Sequence, residues 1–88
     1  MKLITLYPTL VPTDNIKIWE IHAHDKKELI FEGQVDELKL EEFIKIRNRQ
    51  VFEVALACDV VKNTDPRTMH VTTTIYDPRI EIYIMEEI

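Results

Sequence analysis

The stretch Phe52–Met85, FEVALACDVVKNTDPRTMHVTTTIYDPRIEIYIM, decides the fold, because apolar side chains alternate with polar or small ones through most of it. Phe52, Val54, Leu56, Cys58 and Val60 alternate with Glu53, Ala55, Ala57 and Asp59, which predicts a long strand with its even positions facing a core. Residues 69–76 place Met69, Val71, Thr73 and Ile75 on one side, and Ile80, Ile82 and Ile84 repeat the pattern to the end of the chain. A hairpin setting Ile75 by Ile80, Thr73 by Ile82 and Val71 by Ile84 makes the core faces of both strands agree. A slip of one residue would put Ile75 opposite Glu81. The turn of this hairpin is predicted as a loop over Tyr76–Arg79, with Pro78 inside it.

Working outward, Ile16–His24 reads as a strand with Trp19, Ile21 and Ala23 on one face and Glu20, His22 and His24 on the other. Ile16 and Ile18 fall on the wrong parity for that reading, so either a bulge lies near Ile18 and Trp19 or the strand starts covered on both sides. Asp25, Lys26 and Lys27 form a polar turn before a short strand, Glu28–Glu32, which Gly33 ends. Val35–Arg49 carries helical spacing: Leu40, Phe43, Ile44 and Arg47 share a stripe, and Asp36 is a candidate N-cap. A short strand over Lys2–Tyr7 precedes a Pro-broken segment, Pro8–Asn15, that has no assigned place. The predicted fold class is α+β: a mostly antiparallel sheet with one helix packed on one face, in the order β-β-β-α-β-β-β, as a single domain over 1–88.

Composition agrees and narrows the function classes. Ile, Val and Thr make up 27 of 88 residues, which favours a pleated sheet. One glycine excludes the glycine-rich phosphate loops of nucleotide enzymes. One cysteine excludes an internal disulfide framework, and no apolar run reaches the length of a membrane span. Met1–Leu10 does not read as a secretory signal, so a cytoplasmic setting without a membrane partner is expected. The net charge of −5 speaks against nucleic acid, as do Glu20, Glu53, Asp59 and Glu81 on the face that would have to meet phosphates.

Three constellations invite chemistry. His22 and His24 point the same way on a strand and, with His70 and Glu20, could share a metal ion; Cys58 is withheld from that set by its parity with the core. The basic island Lys45–Arg49 could hold phosphate, but a cation-rich last helical turn also follows from the helix dipole. Asp-Pro-Arg occurs at 65–67 and again at 77–79, which is turn chemistry before it is an Arg67–Arg79 anion clamp. No acid–base pair among Glu20, Glu32, Asp36 and Glu37 has an environment that would separate their pKa values. The face opposite the core stands out more, because Ala55, Ala57, Thr72, Thr74, Tyr83 and Met85 make it small and semi-apolar, the composition of a protein interface.

The segments Glu28–Gly33 (ELIFEG), Val35–Leu38 (VDEL) and Ile80–Ile84 (IEIYI) look like small uncharacterised proteins of bacteriophages and mobile elements of bacteria, a resemblance covering about half the chain. It implies an accessory or host-interacting protein and brings no catalytic residues with it. The expectation is a non-enzymatic binding protein without a cofactor, acting on a protein partner or on a second copy as a homodimer. The alternative is a metal-binding protein or metal-dependent enzyme using His22, His24 and His70.

Overall fold

The structure, a computed structural model, describes residues 1–86. Its elements in chain order are helix α1 (Leu3–Leu6), strands β1 (Asn15–Ile21) and β2 (Lys27–Gln34), helix α2 (Leu40–Ile46), and strands β3 (Val51–Thr64) and β4 (Val71–Met85), with short 3₁₀ turns at Tyr7–Thr9, Ala23–Asp25 and Val35–Glu37. The chain is α+β, with one four-stranded sheet in the order β2-β1-β4-β3 and two short helices. The two hairpins, β1–β2 and β3–β4, are antiparallel, and they join through a parallel pairing of β1 with β4. The sheet is therefore mixed, and β2 and β3 are its edges.

A register shift does lie between Ile18 and Trp19, but its extra residue, Ile30, is on β2, and β1 itself keeps an unbroken alternation against β4. Ile16 and Ile18 face inward, fully or almost fully buried beside Ile82 and Ile84, and Trp19 lies on the opposite face. That reverses the expected core face of β1. The core comprises Leu3, Ile16, Ile18, Val35, Leu38, Ile46, Ile82 and Ile84 among the described residues, and it sits between the β1–β4 pair and the two helices.

Four further expectations are corrected. Lys2–Tyr7 is not a strand: α1 drives Leu3 into the core, with only Lys2 bridging to Gln50. The helix expected over Val35–Arg49 is broken at Leu38 and Lys39, whose backbones are extended (ψ 116° and 143°), leaving a 3₁₀ turn at Val35–Glu37 whose first amides bond to the carbonyls of Asp14 and Pro12. Glu37 caps that turn by accepting from the Gln34 amide at 3.1 Å, so Asp36 is not the N-cap. On α2 the buried residue is Ile46, at 7% exposure, while Leu40 is 71% exposed.

A fifth correction concerns the deciding stretch. No hairpin turns at Asp77-Pro78; β4 runs through it as one strand of 15 residues. Ala57 pairs with Arg79 and Asp59 with Tyr76, so Cys58 stands opposite Asp77 and Pro78 in a bulge where Asp77 takes φ 51°. A proline cannot donate to the ladder, and an irregular step of this kind accommodates it. The turn lies instead at Asp65-Pro66-Arg67, where the Asp65 carboxylate accepts from the Arg67 amide at 2.8 Å.

Candidate functional site

Because β1 reaches only Ile80–Met85 of β4, the remainder of the β3–β4 hairpin leaves the body as a two-stranded arm. The molecule measures 56 × 32 × 19 Å as a result. Antiparallel partners share a face, so Val54 and Leu56 lie on the helix side of the sheet with Ile82 and Ile80. The helices stop short of them. Leu56 is 87% exposed, Phe52 63% and Ile75 62%, with Val54, Val60 and Val71 also exposed. The even face of β3 was expected to be core; its alternation is real, but no element among the described residues covers it. Cys58 is likewise exposed rather than buried.

This uncovered side holds an open groove of about 630 Å³ in which Leu56, Cys58, Ile75, Pro78 and Ile80 meet the loop at Asp14. The other side of the arm holds Ala55, Ala57, Thr72 and Thr74, all half-buried except Thr72, which is exposed. Arg79 anchors that side at the root of the arm: Nη1 lies 3.6 Å from Asp59 and 3.4 Å from Asp77, and Nε 3.6 Å from Glu81. Since Arg79 pairs with Ala57, Asp59 stays on the same face as Ala57 across the bulge. Arg67, at the far turn, shares nothing with Arg79, and the anion clamp does not form. Tyr83 belongs to the body, where Lys27 Nζ sits 5.7 Å from its ring and 4.4 Å from that of Trp19. Burial, with Glu81 alongside, raises the Tyr83 pKa above that of a free phenol.

Polar groups converge at the opposite end of the molecule, outside the carboxyl ends of the parallel strands β1 and β4. His22 Nδ1 lies 2.7 Å from Glu86, and its Nε2 faces Glu20 at 3.1 Å and Glu28 at 3.5 Å. Its hydrogen bond to Glu86 raises the pKa of His22 above the usual histidine range, with the Glu20 and Glu28 carboxylates adding to the effect against a smaller opposing contribution from burial. Arg49 closes the other side, pairing with Glu20 at 2.8 Å and donating to the Met85 carbonyl. An open cleft of about 650 Å³ adjoins, lined by His22, Ile44, Lys45, Asn48, Arg49 and Met85.

The three histidines are not brought together. His24 lies in the turn after β1 with φ 65°, and His70 sits beyond the start of β4, roughly 45 Å of strand away from His22 at ~3.3 Å per residue. Of the expected metal set, only His22 and Glu20 are neighbours; Glu28 completes a group whose ligand atoms all lie within 4.8 Å of one another. Glu28 and Glu86 were missed because their approach to His22 depends on the β1–β2 register and on the parallel β1–β4 pairing. Met85 and Tyr83, grouped in the sequence with the arm residues, stand at the cleft and on the body. No helix among the described residues is long and apolar enough to cross a membrane. Compared with protein families, curated proteins and solved structures, the chain matches none.

Proposed function

We propose that the chain is a non-enzymatic binding module that works through protein contacts made by its β3–β4 arm. One observation carries this: Ile75, Val71 and Val60 stand more than half exposed on the arm, and Leu56 at its root, on strands that no helix among the described residues reaches. A two-stranded ribbon alone in water is at best marginally stable, and an apolar stripe of this length is an interface in search of cover. Ala55, Ala57, Thr72 and Thr74 add a flat second face to the same element. In the bacteriophage or mobile-element setting that the resemblance implies, such a module would be an accessory protein of the host cytoplasm. The test is retention of a protein by the immobilised chain, compared with a Leu56→Ser/Ile75→Ser variant. Retention of the same protein by both, or by neither, would count against the arm as contact element.

A second reading, metal binding, is favoured by the geometry around His22. Tetrahedral coordination with bonds of about 2.0–2.1 Å sets ligand atoms roughly 3.3 Å apart, and Nε2 lies 3.1 and 3.5 Å from the carboxylates of Glu20 and Glu28. Glu86 on Nδ1 supplies the carboxylate that orients metal-bound histidines. Zinc titration by calorimetry, on protein free of a histidine tag, separates the two uses of the cluster. Stoichiometric binding lost in His22→Ala and kept in His24→Ala and His70→Ala supports the metal; absence of binding leaves an ion-paired imidazolium.

A further inference from the structure

Resting on the reading of the arm as contact element, we propose that its partner is a second copy of this chain, joined edge to edge through β3 about a twofold axis at Cys58.

The surface carries the argument for size. A compact protein of this mass, 10.5 kDa, exposes about 5,400 Å², whereas this chain exposes 6573 Å². The surplus is on the order of 1,100 Å², against the ~800 Å² that each partner gives to a standard interface. The radius of gyration says the same, 16.6 Å where about 12 Å is expected for 88 residues. The excess lies in the arm, and the arm is also where a second copy is electrostatically tolerated. Residues 57–79 hold three acidic and three basic groups, net 0, whereas the other described residues, 1–56 and 80–86, hold twelve acidic and eight basic groups, net −4. Two bodies repel each other; two arms do not.

The register follows from the free edge. Val51 is already engaged, its amide donating to the Met1 carbonyl, so the open part of β3 runs from Phe52 to Thr64 with Cys58 at its midpoint. A continuous antiparallel sheet about a twofold requires facing residues to share a face, and full overlap of two such edges then sets Cys58 against Cys58, Ala57 against Asp59, Leu56 against Val60, Val54 against Lys62 and Glu53 against Asn63. Leu56 and Val60 of the uncovered stripe meet on either side of the axis, and no acid faces an acid. Shifting the axis one residue towards Asp59 puts Asp59 against itself, and shifting it to Leu56 puts Glu53 against Asp59, with like charges in contact in both cases.

The single cysteine makes this testable in the unmodified chain. Light scattering at micromolar concentration should give twice the chain mass, and a short bismaleimide should link Cys58 to Cys58 of the second copy. Leu56→Lys, with a charge set into the paired stripe, should weaken the dimer by at least about tenfold and remove the cross-link. Val60→Lys serves if the first variant does not fold. A dimer that neither cross-links at Cys58 nor responds to these variants overturns both the edge pairing and the arm reading. A monomer that retains another protein through Leu56 and Ile75 overturns the second copy and leaves the arm reading standing. A monomer without arm-dependent binding overturns both.

Discussion

Ile82 and Leu56 are both large aliphatics on the same face of neighbouring strands, and they should answer truncation in opposite ways. Ile82 is fully buried among Ile18, Ile84 and the helices, so Ile82→Ala should cost about 2–5 kcal/mol in urea unfolding. Leu56→Ala, at a site that is 87% exposed, should change monomer stability by under ~0.5 kcal/mol under dilute conditions. Gly33 is a third case: at φ 153° an added Cβ would lie 3.3 Å from the Phe31 ring, so Gly33→Ala should cost about 1–3 kcal/mol by the same measurement. His22 predicts a pH dependence. Its folded pKa is raised above about 6.5, so its contribution is complete below that value and is lost as pH rises through the folded pKa. Thermal melts across that window should show wild type losing its advantage over His22→Gln as pH rises. At this scale the sequence was partly legible. The conflict between Ile16, Ile18 and Trp19 announced a bulge, but which side of the bulge was core depended on Ile82 and Ile84, some sixty residues away.

Among the elements, the arm and the body should differ in how readily they open. Amides of 59–64 and 71–76 have only each other as ladder partners, while Ile80–Met85 lies between β1 and β3. Hydrogen exchange in dilute solution should therefore protect Ile80–Met85 well above residues 71–76, and raising the protein concentration should slow exchange selectively in β3 if copies pair there. Equal protection along β4 at every concentration would contradict this picture. Alternation in the sequence located β3 and the last strand correctly as strands, because period two is a local property. It could not say which face was covered, since cover comes from α1, the turn at Val35–Glu37 and α2, which are placed by long-range bonds: Leu3 to the Arg49 carbonyl and Ile4 to that of Arg47, just after α2, and Val35 to that of Asp14. The misplaced turn has a similar cause. Asp-Pro-Arg is turn chemistry in both copies, and only pairing with β3 decides that one copy turns the chain and the other merely bends it.

Taken whole, the molecule is a small α+β body with a core of eight aliphatic residues among those described, carrying an arm that the core does not reach. Its fold class was readable from composition and periodicity. The parallel joint between the two hairpins was not, because parallel neighbours far apart in sequence leave no local mark. The residues around His22 were half readable for that reason. The sheet's two margins also differ in kind. β2 presents Lys27, Glu28 and Glu32 beside exposed Leu29 and Ile30 on a short strand bulged at Ile30, whereas β3 presents Val54, Leu56 and Val60 along a strand of 14 residues. The longer rim is the more apolar, and the shorter one is kinked by its bulge. Addition of strands would then terminate once two such rims have met, with the short, bulged and charge-bearing β2 outermost on both flanks, so the architecture guards against runaway fibre growth while keeping one adhesive seam.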